Sequence, residues 1–93
     1  MTEQEKQEII QTLVSECKWH FDNSANYYAF KNEFKRREDQ IVKPLGAKLY
    51  DAGGLSMMRN VYQQVENICV SKYGKNCRSA LDMKWNGVGE WMS

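Results

Sequence analysis

Residues 2–21 read TEQEKQEIIQTLVSECKWHF, and their spacing decides the fold class. Thr2 followed by Glu5 matches a capping box, so a helix starts almost at once. Behind it Ile9, Ile10, Leu13, Val14, Cys17, His20 and Phe21 recur at steps of three and four, which is one face of a helix. Asp22-Asn23-Ser24 breaks that pattern and supplies cap chemistry for a second helix. Its stripe is Tyr27, Phe30, Phe34 and Ile41, running through the charged segment Lys31–Gln40.

Pro44 lacks an N–H and disfavours helical geometry at Lys43, so it ends or kinks the second helix, or opens a short third one from Pro44 to Ala52. Gly53-Gly54 is then a stop signal. Leu55, Met58, Val61, Val65, Ile68 and Cys69 mark the next helix, which Gly74-Lys75-Asn76 ends. Cys77, Ala80, Leu81 and Trp85 predict a last helix, stopped by Asn86-Gly87. No stretch carries a period of two. The expectation is an all-α bundle of four to five helices, near 3–22, 25–42, 44–52, 55–73 and 77–85, forming a single helical domain over residues 1–93 with a docked C-terminal turn.

A chain of 93 residues with eleven aromatics (three Trp, five Tyr, three Phe) has enough large side chains for one small core, provided most of them pack inside. The net charge of +1 offers no global field for nucleic acid or membrane. Its distribution is uneven. Residues 1–24 hold Lys6 and Lys18 against Glu3, Glu5, Glu8, Glu16 and Asp22, a net −3. Residues 25–48 hold Lys31, Lys35, Arg36, Arg37, Lys43 and Lys48 against Glu33, Glu38 and Asp39, a net +3. Two oppositely charged helices lying side by side account for this. Apolar runs of about four residues are far too short for a membrane span, and the N-terminus lacks an export signal. Three cysteines without paired spacing read as reduced thiols, so the expected location is cytoplasmic.

Cys17 and His20, three apart on one helical face, are the only nucleophile–base pair on offer, and nothing nearby supplies an oxyanion hole. Together with Cys69 and Cys77 they also make a three-cysteine, one-histidine set of a kind zinc accepts. The spacing lacks the tight knuckles of structural zinc sites, and buried cysteines packing as small hydrophobes explain all three. No catalytic residue, metal ligand or cofactor is therefore assigned, and the chain reads as a non-enzyme.

Ala52-Gly53-Gly54-Leu55-Ser56, set between two helical patterns, resembles the turn of a helix-turn-helix motif. The resemblance covers Leu45 to Gln64, within Pro44–Gln64, and implies nucleic-acid binding with Arg59 on the recognition helix and Lys35, Arg36 and Arg37 on the phosphate backbone. It departs from the motif at Tyr50, where a small residue is usual, and at Asn60, where an apolar one is.

The aromatics give the preferred reading. Trp85-Asn86-Gly87-Val88-Gly89-Glu90-Trp91-Met92-Ser93 holds two of the three tryptophans around two glycines. Trp85 falls in step with Cys77 and Leu81 and belongs in the core; Trp91 closes over it or serves a partner. Trp19 lies at the edge of the first apolar stripe, and Tyr27 and Tyr28 point about 100° apart on a helix, so only one can face inward. Trp19, Tyr28 and Trp91 are thus the candidate partner-binding residues. They describe a non-catalytic accessory module that binds an unknown protein partner or a second copy of itself through an apolar-aromatic surface near Trp85–Trp91.

Overall fold

A computed structural model describes residues 1–93 and contains three α-helices and no strand: α1 (Glu3–Asn23), α2 (Lys31–Arg37) and α3 (Lys43–Tyr73). The capping box at the start of α1 forms in part. The Thr2 hydroxyl accepts from the Glu5 backbone N–H at 3.1 Å, and the Glu5 carboxylate takes the hydroxyl proton at 3.2 Å rather than reaching the Thr2 backbone. Ile9, Ile10, Leu13, Val14 and Cys17 form the buried face. The predicted break falls at the right place but does different work. Asn23 Nδ2 donates to the Trp19 carbonyl at 2.8 Å and Ser24 Oγ to that of Phe21 at 3.4 Å, so both residues satisfy the end of α1 rather than cap a following helix.

The predicted helix over 25–42 is not one helix. Ser24–Asn26 make a 3-10 turn, Tyr27–Phe30 a further turn, and only Lys31–Arg37 are α-helical. A π-helical turn, Glu38–Val42, then carries the chain into α3 without a loop. Pro44 sits in the first turn of α3, where its missing N–H costs little. The Lys43 N–H bonds to the Glu38 carbonyl, five residues back, so the widened turn absorbs the proline that was expected to end the helix.

The predicted helices 44–52 and 55–73 meet end to end in α3 as two helical arms joined across a kink at Gly54, the one residue outside helical geometry, at φ 70° and ψ −163°. That conformation suits glycine alone. Leu49 before the break and Met58, Val61, Val65 and Cys69 after it are buried, so the bend keeps both arms of α3 on the core that α1 covers. Gly74, at φ 66°, ends α3 with its N–H on the Val70 carbonyl.

The last predicted helix, 77–85, is a π-helical turn over Arg78–Asp82 followed by irregular turns. These still deliver Cys77, Ala80, Leu81, Trp85 and Trp91 to one cluster of 16 buried residues shared with α1 and α3. Trp85 is fully buried, and its indole N–H donates to the Val42 carbonyl at 2.8 Å. It lies flat on Gly46, where a Cβ would stand 2.6 Å from Trp85 Nε1. The tail folds back. Trp91 meets Trp85 edge-on at 5.1 Å, its indole donates to the Asp82 carboxylate at 2.9 Å, and its carbonyl accepts from the Gly87 N–H at 3.0 Å. The Tyr50 hydroxyl donates to Glu90 at 2.7 Å over Gly89, where any side chain would run into the Tyr50 ring. No helix is long and apolar enough to cross a membrane.

Candidate functional site

The three aromatic candidates do not share a surface. Trp91 is only 8% exposed, so it belongs to the core and not to the partner-binding surface expected of it. The cause is the small size of the core, which has no other ring to close over Trp85 and Tyr62. Trp19 is half-buried: its ring packs against Phe34 at 4.6 Å and carries the Arg37 guanidinium 4.3 Å from its centre. Tyr28 alone stands free, at 90% exposure.

Tyr28 sits in the turn between α1 and α2, with Tyr27 at 45% and Phe30 at 43% exposure beside it. The turn is not helical, so neither tyrosine faces the core squarely. Tyr27 leans on Phe34 at 5.1 Å and Tyr28 leans on Tyr27 at 5.6 Å. A relay of rings thus runs from Trp19 through Phe34 and Tyr27 to Tyr28 in solvent.

The basic run of α2 is spent within the molecule. Lys35 pairs with Asp39 at 3.2 Å and Arg36 with Glu33 at 2.7 Å. Arg37 reaches Glu33 at 2.9 Å and Glu16 of α1 at 2.8 Å, the one ion pair joining the acidic and basic segments. Hydrogen bonds from Arg36, and then from Arg37, hold the Glu33 carboxyl down at about 2. Arg59 is elsewhere, lining a hollow of about 290 Å³ with Leu55, Glu90, Trp91 and Met92. Where the resemblance to a helix-turn-helix placed its turn, the chain has a kink at a single residue, Gly54, between two helical arms, shorter than the three-to-four-residue turn of that motif.

Cys17, Cys69 and Cys77 all lie in the core. Contact with Cys77, then burial, pushes the Cys17 thiol far up, and burial pushes Cys69 up to about 11. Cys77 Sγ and its backbone N–H both donate to Glu66 Oε2, at 3.2 and 3.3 Å, and the Tyr62 hydroxyl joins at 3.1 Å. The Cys17 and Cys69 thiols therefore stay protonated. His20 turns from Cys17 toward aromatic neighbours, meeting Phe34 edge-on at 5.4 Å and Phe21 at 6.4 Å. No three His, Cys, Asp or Glu side chains gather in an arrangement that fits a metal, so the four-ligand set Cys17/His20/Cys69/Cys77 is not assembled.

What His20 does line is a cleft of about 400 Å³ under the aromatic turn, with Tyr27 and Phe34 as walls and Lys31, Lys35 and Lys84 around it. Burial first, and then the Lys84 charge, lowers the His20 pKa to about 4, so the ring is neutral at physiological pH. Its Nδ1 is buried without a partner. Burial also lowers the Lys84 pKa, and its ammonium lies 5.6 Å from the centre of the Phe34 ring. Sequence reasoning missed Lys84 and Lys31, since nothing in local spacing links position 84 to a turn more than fifty residues earlier. Comparison with known proteins finds no family model, no curated relative and no solved structure that matches the chain.

Proposed function

We propose that the protein is a non-catalytic binding module that engages another protein chain, a partner or a second copy of itself, through the aromatic turn Tyr27–Phe30. The observation that carries this reading is the exposure of three large rings within four residues, with Tyr28 at 90%. Aromatic rings are the commonest anchors of protein interfaces, and rings left exposed side by side mark an interaction site. Lys31 and Lys35, exposed on α2, form the polar rim such an interface uses. The non-catalytic reading is supported by chemistry: the one histidine is neutral and faces rings, and the three thiols are buried in the core. Free core thiols also suit a reducing compartment such as the cytoplasm.

The test is a pair of surface variants. Tyr28→Ser with Phe30→Ser should keep the helical circular dichroism and melting temperature of the native chain. Sedimentation velocity over a concentration series, and capture of the partner from lysate, should then show the interaction of the native chain lost in the variant. An association that persists undiminished in the variant places the interface elsewhere and refutes the assignment.

A further inference from the structure

We propose that the cleft between Tyr27, Phe34 and Lys84 binds a small molecule through a phosphoryl group. The argument starts from uncompensated charge. Of the charged groups around the cleft, Lys35 is paired with Asp39 at 3.2 Å, and Glu38, the one carboxylate, is taken by Lys43 at 3.4 Å. Lys31 and Lys84 make no ion pair. Lys84 is the telling one: it is partly buried, its ammonium lies 5.6 Å from the centre of the Phe34 ring, and the charges of Glu38 and Glu16 reach it without an ion pair. An ammonium taken out of water with no carboxylate in direct contact is costly, and an anion arriving from solvent relieves part of that cost.

The setting strengthens the attraction. A cleft with cationic groups and low-dielectric aromatic walls focuses its field on whatever enters. Its volume, about 400 Å³, falls in the range of small-molecule sites. The donors are lysines, compact point charges suited to phosphate oxygens, and the cleft holds no arginine fork for planar recognition of carboxylates. No thiol lines it, and the proposal is one of binding alone. The half-exposed Tyr27 ring gives a flat ligand a surface to lie against. This site does not depend on the docking role of Tyr28; either stands if the other fails.

His20 is the built-in reporter. The groups facing it from the packed elements are Lys84, Lys31, Lys35, Glu38 and Tyr27 on this side, and Lys75 in the adjoining hollow. A bound anion offsets the repulsion from Lys84 and raises the His20 pKa above about 4. The experiment is a titration of the His20 ring Cε1–H signal by NMR in inorganic phosphate, in phenyl phosphate and in sodium chloride at matched ionic strength. Phosphate stays at least singly negative across that range.

The expected result is a saturable rise of about one pH unit or more in the phosphoryl arms and none in chloride. A larger rise at lower concentration with phenyl phosphate identifies a phosphorylated ring compound as the ligand class, and equal response identifies free phosphate. Lys84→Gln raises the starting His20 pKa and abolishes the phosphate-dependent rise, whereas Lys84→Arg keeps it. If Lys84→Gln does not fold, the exposed Lys31→Gln serves instead and weakens the response. A His20 titration that is the same in phosphate, phenyl phosphate and chloride overturns the proposal, as does a rise that survives in both Lys84→Gln and Lys31→Gln.

Discussion

Adding one methyl group at Gly46 is the sharpest perturbation the fold offers. A Cβ there would lie 2.6 Å from Trp85 Nε1, 2.9 Å from Cδ1 and 3.0 Å from Cε2. Comfortable contact between such atoms is about 3.5–4.0 Å, so the indole must retreat by roughly 1 Å. It has nowhere to go. Trp85 is fully buried, Trp91 stands against its ring at 5.1 Å, and its N–H is tied to the Val42 carbonyl at 2.8 Å. Retreat stretches that bond beyond hydrogen-bonding range. Overpacking costs about 1–3 kcal/mol, and a buried indole N–H left without a partner costs about 1–3 kcal/mol more. Alanine also favours the helix over glycine, returning about 1 kcal/mol. The net expectation for Gly46→Ala is a loss of about 2–4 kcal/mol. At roughly 4–8 °C per kcal/mol for a domain of this size, the melting temperature falls by some ten degrees or more. Urea denaturation followed by circular dichroism gives the free energy, and tryptophan emission reports the displaced ring. A variant as stable as the native chain, or more stable as propensity alone would make it, refutes the Gly46–Trp85 contact.

Three further outcomes follow from the same geometry. Trp91→Ala removes the ring that closes over Trp85 and Tyr62 and should lower stability in urea by about 3–5 kcal/mol, whereas the exposed Met92→Ala should change it by less than about 0.5 kcal/mol. Arg37→Ala strips the half-buried Glu16 of its partner and Trp19 of its cation, for about 1–3 kcal/mol in urea, while Arg36→Ala on the exposed side should leave the urea midpoint nearly unchanged. His20 has a folded pKa of about 4, below its ordinary 6.5, so the unfolded chain takes up the proton first as pH falls. Stability should therefore be full above pH 6.5, decline between there and about 4 and lose nothing more from this residue below that; His20→Gln, followed by the same urea midpoints across pH, should remove that slope.

Local signals carried much of the fold. The all-α class and the extent of α1 were legible because the cap at Thr2 and the stripe from Ile9 to Phe21 sit on one continuous helix. The docked tail was legible from a size argument, since a small core needs Trp85 inside. The helix count was not. Pro44 and Gly54 are breaker signals in isolation, but a π-helical turn carries the chain into Pro44 without a loop, and the break at Gly54 is a kink of one residue between two helical arms. In the other direction, the stripe Tyr27–Phe30–Phe34 keeps helical spacing, but Tyr27 and Phe30 fall in a turn that is not helical, and that departure leaves them partly in solvent while Phe34, on α2, is buried. Of the candidate site, Tyr28 was visible from its neighbour Tyr27. Lys84 was not, because its place beside His20 and Phe34 depends on how the irregular C-terminal turns pack. The Arg37–Glu16 pair was not legible for the same reason: Glu16 lies on another helix, 21 residues away.

The central claim is that the aromatic turn is the contact surface. The most direct measurement places a photo-reactive phenylalanine analogue at Tyr28 in one sample and at Val70, also exposed but on α3, in another, and cross-links both in lysate. The account predicts one discrete adduct from position 28, either a dimer of the chain or a single partner, and none from position 70. The same adducts from both positions, or none from 28 in a chain that sediments as a monomer, would contradict it.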